Sequence, residues 1–175
     1  GLVVYRSLNG ASLIRSFVEG GIICASVIAI LFFLIVFAKL LSAQGIPRSI
    51  SQFLVSVSDN YYVILVFINI SLLLIGMFLD DISGSILAAV VLMPVANEIG
   101  VHPIHFAAIV GTNLGLGNIT PPCAPLLFLA GSVSGLELRQ FMKPTLRLML
   151  CGHLLVVIIV TYVPALSLAI PNMAM

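Results

Sequence analysis

The segment Gly115-Leu116-Gly117-Asn118-Ile119-Thr120-Pro121-Pro122 lies in the middle of an apolar stretch long enough to cross a bilayer. The chemistry it offers is the capture of a small cation by neutral oxygens. Tandem prolines supply no backbone N–H, and the flanking glycines hold helix poorly. A helix here breaks near mid-membrane. Open backbone at that depth is tolerated only where it is buried in protein or lines a cavity. The first half-helix ends in free carbonyls that carry the negative end of its dipole. With the Thr120 hydroxyl they form an oxygen cage suited to Na+. The second half-helix, starting at Pro122, presents the end that favours an anion. A proline kink made only for packing is the competing reading.

Other polar groups in apolar surroundings are few. Asp80 and Asp81 are acids inside a hydrophobic region, where a carboxylate is costly and marks a functional candidate. Asp81 is expected to cap the helix that begins at Ile82. For Asp80, capping and the binding of a cation or proton are both open. Ser83 stands at the same Gly/Ser/Asp tip. Asn69 and Asn113 are amides able to lend oxygens or to bridge helices. His102 and His105 form H-x-x-H, but Pro103 intervenes and no third ligand stands at helical spacing. They read as interfacial polar residues, not metal ligands. His153, alone in an apolar span, is expected to hydrogen-bond to a neighbouring helix. Cys24, Cys123 and Cys151 show no C-x-x-C spacing and read as small buried residues.

These residues need helices to hold them. Hydrophobic residues make up 61% of the chain and charged ones 7%, against about 25% charged in a soluble domain. The chain is therefore read as an all-α integral membrane protein, and its lack of basic clusters argues against nucleic acid. Residues 5–20 predict an amphipathic helix along the membrane interface, or the polar cap of the next span. Residues 21–41 form that span, 43–48 a turn, and 50–60 a connector or short interfacial helix. Residues 61–97 predict a re-entrant helical hairpin with two arms of about 15 residues, each short for a full crossing. A single long kinked span is the alternative. Residues 104–135 predict the discontinuous helix, and 145–170 a last span with a kink at Pro164.

Arg139, Lys143 and Arg147 precede that last span and nothing basic follows it, which places their loop in the cytoplasm and the C-terminus outside. The hairpin then enters and leaves from outside. The chain carries no initiator methionine and no signal peptide, so it reads as the C-terminal piece of a longer protein.

The ordered set Gly76-Met77-Phe78-Leu79-Asp80, Pro94, Gly100-Val101-His102-Pro103-Ile104-His105-Phe106, Asn113, Gly117, Thr120-Pro121-Pro122 and Leu127-Phe128 resembles the large membrane subunit of tripartite ATP-independent periplasmic (TRAP) transporters. Tyr5-Arg6, Gly45-Ile46-Pro47, Pro144 and the tail 164–171 continue the likeness, so nearly the whole chain is covered. The resemblance implies an elevator-type, sodium-coupled importer of organic acids such as C4-dicarboxylates or sialic acid, in the bacterial inner membrane. It implies two inverted repeats, of which this chain matches the second, and three partners: the first repeat, a small membrane subunit and a periplasmic solute-binding protein. Residues 1–60 then read as interfacial helix and scaffold span, 61–135 as part of the transport domain, and 136–175 as the final scaffold span. The family's sodium site carries over to Gly76, Gly117, Thr120 and Cys123, mainly through backbone carbonyls. Asp80, Ser83, Asn113 and Asn118 become candidates for the substrate or the hairpin tip.

Departures from the family pattern are Ala107 and Ala124, where glycine is usual, Val90, where a proline is common, and Asn118, where an aliphatic residue is usual. No cofactor beyond Na+ as coupling ion and no enzyme activity is expected. An intramembrane aspartyl protease would need two carboxylates from separate helices at one site, and adjacent acids on one helix face different directions. A non-transporting fragment or assembly piece is the remaining alternative.

Overall fold

A computed structural model describes residues 10–58, 60–121, 124–135 and 137–174. Every regular element among them is helical. Residues up to Phe37 form one unit and those from Ala38 onward a second. The first unit is the body of α1 (Gly10–Ala43), 34 residues of mostly apolar sequence. At about 1.5 Å per residue it exceeds the roughly 30 Å hydrocarbon core. The segment before Gly21 is therefore continuous with the span. Its polar side chains sit on the first turns of one rod, where Arg15 Nε donates to Glu19 Oε1 at 2.8 Å.

In the second unit, Gly45 turns the chain with φ 69° and Pro47 enters the first turn of α2 (Ile46–Val57). α3 (Tyr61–Phe78) starts where the Asn60 side chain accepts from Tyr62 N at 2.9 Å. It buries Ile64, Leu65, Ile68, Leu72 and Gly76 on one face, at helical spacing. After Leu79 and Asp80 the chain doubles back into α4 (Asp81–Val91). The reversal is evident because a Cβ on Gly84 would lie 3.3 Å from Ile75 Cγ2, which two collinear helices nine residues apart could not achieve. Leu92 separates α4 from α5 (Met93–Glu98), whose first turn holds Pro94.

α6 (Pro103–Gly117) is opened by the His102 side chain, which accepts from Ile104 N, and runs to the break. α7 (Pro125–Ser134) resumes after it, so the second half-helix starts at Pro125 and not at Pro122 as expected, because Ala124 before it has left-handed backbone. α8 (Leu138–Leu148) leads through a π-helical turn (Met149–His153) into α9 (Leu154–Tyr162), and α10 (Pro164–Ala174) ends the described chain. The core lies where α3, α5 and α6 meet, around Leu65, Ile68, Leu72, Val95, Ala96 and Ile109. Among the described residues, three helical stretches are long and apolar enough to cross a membrane: α1, α3 and residues 139–162.

Several expectations change in detail. The first hairpin arm is 18 residues, longer than the sequence pattern implied, because helix continues to Phe78. The last span stops at Tyr162, and Pro164 starts a new helix instead of kinking the old one. His105 is not interfacial. It is 1% exposed, and its Nε2 lies 2.9 Å from the Val160 carbonyl. Cys24 and Cys151 are exposed, not buried; an apolar thiol on a bilayer-facing helix meets lipid at little cost. Cys123 lies outside the described residues. His153 meets the prediction of an interhelical partner, with Nε2 3.0 Å from Thr112 O.

The ends of elements agree on sidedness. The rings of Tyr62, at the start of α3, and Tyr162, at the end of α9, lie 6.0 Å apart. His105, near the start of α6, meets Val160 at the same end. The starts of α3 and α6 and the end of α9 therefore lie at one end of this helix group.

Ala124 carries a local cost. It holds φ 38° and ψ 55° immediately before α7. The left-handed region costs a residue with a Cβ about 1–2 kcal/mol. Ala124→Gly is expected to stabilise the protein by about 1 kcal/mol, read as a higher melting temperature. An unchanged or lower temperature would show that the backbone there is not strained.

Candidate functional site

Two helices of the second unit end side by side. α3 finishes at Phe78 and α6 at Gly117. Glycines set the distance between them. A Cβ on Gly117 would lie 2.5 Å from Gly76 C, 2.6 Å from Gly76 Cα and 2.9 Å from Met77 N. A Cβ on Gly76 would lie 3.0 Å from both Leu114 Cα and Leu114 O. Every one of these neighbours is backbone, so no rotamer change makes room. The spacing Gly76…Gly117 therefore brings two main chains into direct contact.

Helix ends leave carbonyls without intrahelical donors. Among the last carbonyls of α3, that of Ile75 accepts from Leu79 N at 2.9 Å. Those of Gly76, Met77 and Phe78 accept from no backbone N–H beyond the helix among the described residues. On α6, Leu114 O accepts from Asn118 N and Gly117 O from Thr120 N, both at 2.9 Å. Each helix also brings the negative end of its dipole to this point. Two such ends in contact repel unless positive charge sits between or beside them.

Residues Asn118 to Pro121 form the non-helical link that leaves α6. Thr120 Oγ1 donates back to Leu116 O at 2.7 Å, with Met149 Sδ at 3.2 Å. A hydroxyl has one hydrogen, so this donation leaves its lone pairs available to a cation. The π-helical turn places Met149 there: Leu154 N reaches Met149 O five residues back, and from this turn Met149 addresses the link after α6 and His153 addresses α6 itself. π turns concentrate at functional sites.

At the hairpin tip the cap falls to Asp80, for which capping was one of the open roles, and the expected cap at Asp81 is overturned. Asp80, not Asp81, is the cap. Its Oδ2 accepts from Ile82 N at 3.1 Å and Ser83 N at 3.2 Å. The reason is local geometry: Asp80 has extended backbone, with ψ 165°, and α4 begins one residue later. Asp81 is thereby the first helical residue, and its Oδ1 accepts from Asn118 Nδ2 at 2.5 Å. This hydrogen bond ties the tip to the helix break. Ser83 is buried beneath the cap.

Asn113, one turn before Gly117, takes the bridging role of the two left open. Its Nδ2 donates to Asn69 Oδ1 at 2.7 Å and to Ile109 O at 2.8 Å. Thr161 Oγ1 donates to the same Asn69 oxygen at 3.0 Å. This partly buried cluster, with the two histidine bonds, fastens α9 and the π-helical turn to α3 and α6. The last span thus packs on α3 and α6.

The structure brings together Gly76, Gly117, Thr120, Asp81 and Asn118. Asp80 and Ser83 serve the tip, and Asn113 the support. Sequence reasoning missed Asp81 as the cross-link and Met149 as a neighbour of Thr120. Asn118, polar where an aliphatic residue is usual, was the available signal for the first; nothing in the sequence marked the second.

Comparison with known proteins identifies the chain at family level. Residues 1–166 match the family described as "Tripartite ATP-independent periplasmic transporter, DctM component". The isethionate TRAP transporter permease protein DctMQ of Oleidesulfovibrio alaskensis is 32% identical over 168 residues, covering 96% of this chain and 26% of the relative. The C4-dicarboxylate TRAP transporter large permease protein DctM of Pseudomonas aeruginosa is 32% identical over 171 residues, covering 98% of this chain and 40% of the relative. The sialic acid TRAP transporter large permease protein SiaM of Vibrio cholerae is 28% identical over 173 residues, covering 99% and 40%. The chain thus spans well under half the length of these relatives. They are permeases, not enzymes, and the protease reading falls with them, since Asp80 caps a helix and Asp81 binds an amide. By sequence and by its helical membrane architecture, this chain belongs to the DctM-component family of TRAP transporters.

Proposed function

We propose that this chain is the C-terminal part of the large permease subunit of a sodium-coupled secondary transporter that imports an organic acid. The observation that carries the reading is the backbone contact at Gly76 and Gly117. It brings the negative ends of two helices together beside an oxygen-bearing helix break. Discontinuous membrane helices use unwound carbonyls and half-helix C-termini to coordinate Na+. Gly76, Gly117 and Thr120 are the ligands proposed here, with the Cys123 carbonyl from outside the described residues.

Sodium neutralises the paired dipole ends and so favours the closed hairpin tip. That is the differential affinity coupling requires, because a ligand shifts a conformational equilibrium only by binding one state better. The substrate class follows the relatives, whose names include C4-dicarboxylate and sialic acid transporters. The remaining half of the site would come from the first repeat, with a small membrane subunit and a periplasmic solute-binding protein as partners. The membrane is the bacterial inner membrane, with the C-terminus on the periplasmic side. Elevator movement of the hairpin and broken helix within this assembly is the proposed mechanism.

Uptake by the full-length transporter in proteoliposomes tests the reading. Thr120→Val removes the hydroxyl oxygen and is expected to raise the Na+ concentration for half-maximal uptake by about tenfold or more. Uptake that ignores Na+ and is unchanged by Thr120→Val would end the ion-site assignment.

A further inference from the structure

Asn118 stands apart from the rest of the break. Its side chain is 4% exposed, yet its Oδ1 has no hydrogen-bond partner among the described residues. It is the only buried side-chain polar atom so left among them. The amide orientation is fixed, because Nδ2 donates to the Asp81 carboxylate at 2.5 Å and the flipped amide would set two acceptors against each other. Burying an unpaired oxygen is costly, so a native structure provides it with a partner.

The chemistry of that partner is constrained. Oδ1 only accepts, so it can meet a hydrogen-bond donor or a cation, and a carboxylate of an organic acid cannot satisfy it. Its surroundings are negative: the preceding residue, Gly117, ends α6 against the end of α3, and the Asp81 carboxylate lies on the other side of the same amide. That potential selects a cation over a neutral donor. One carboxylate among neutral oxygens suits a monovalent ion.

We infer that Asn118 Oδ1 is a side-chain ligand for the coupling cation. Asp81 is the positioning residue that holds the amide by hydrogen bond and supplies the nearby negative charge. The inference rests on the sodium reading above and adds to it a residue that main-chain coordination does not require. It also assigns the hairpin tip a part in binding: Asp81 keeps the oxygen aimed only when the tip is docked on the break, so cation binding and tip closure reinforce each other.

The test uses Na+ alone on the full-length transporter, with melting temperature followed as NaCl replaces choline chloride at constant ionic strength. Asn118→Leu is expected to raise the half-saturating Na+ concentration by about 10- to 100-fold. Asn118→Ser, which keeps a shorter oxygen, should raise it less. Asp81→Asn still accepts the amide hydrogen bond but loses the carboxylate charge, and should give a smaller rise. Should Asn118→Leu fail to fold, the serine and Asp81→Asn variants carry the test. If these variants saturate at wild-type Na+ while Thr120→Val does not, the sodium reading stands and the Asn118 inference is overturned. No Na+ response in the wild type would overturn both.

Discussion

Gly117→Ala is expected to disable the protein. The added methyl carbon would sit 2.5 Å from Gly76 C and 2.6 Å from Gly76 Cα, well inside van der Waals contact with main chain. α3 and α6 can accept it only by separating. Overpacking a rigid site typically costs 1–3 kcal/mol, and backbone neighbours put this case at about 3 kcal/mol or more. Separation would also pull the α3 carbonyls away from the break, so Na+-dependent stabilisation should vanish even in protein that survives purification. Gly111→Ala is the control. It lies on the same helix with nothing within 4 Å of its Cβ position, and alanine is the better helix former. Melting temperature and Na+ response should be lost in the first variant and kept in the second. A Gly117→Ala protein with normal melting and normal Na+ response would show that the two main chains are not in contact.

His105→Leu is the second large effect. Four residues after Val160 stands Pro164, which has no N–H to give the Val160 carbonyl. His105 Nε2, 2.9 Å away, supplies that missing donor from a neighbouring helix. The ring must therefore carry its proton on Nε2. Leucine fills similar space but leaves a buried carbonyl unpaired, at about 1–3 kcal/mol. His105→Gln retains an N–H donor and should recover much of the loss. The pair of melting temperatures decides the matter: equal losses in both variants would mean that His105 acts by packing alone.

That second case shows where sequence reading reaches its limit. His105 looked like a membrane-edge residue because H-x-x-H sits beside a loop, but a helix of 15 residues turns one histidine outward to cap and the other inward to a partner 55 positions away. Pro164 was visible as a helix disruptor; the residue that compensates it was not, since that pairing is tertiary. The break itself was legible, because glycine and tandem proline act on the local backbone whatever surrounds them. α6 does end at Gly117, and the tip does fall at Leu79 and Asp80. The roles of Asp80 and Asp81 were open to a one-residue error, since either can cap, and only the start of α4 decides which side chain turns back and which reaches Asn118. The continuity of α1 through Gly20 and Gly21 is a further case, because adjacent glycines weaken a helix without stopping it.

The proposed cation is held where α3 and α6 end against each other. Density maps of the full-length transporter in Na+ and in choline test this most directly. The prediction is a peak, present only in Na+, bounded by Gly76, Gly117, the Thr120 hydroxyl and Asn118 Oδ1. A cleft without such a peak at saturating Na+, or a Na+-dependent peak remote from these residues, would contradict it.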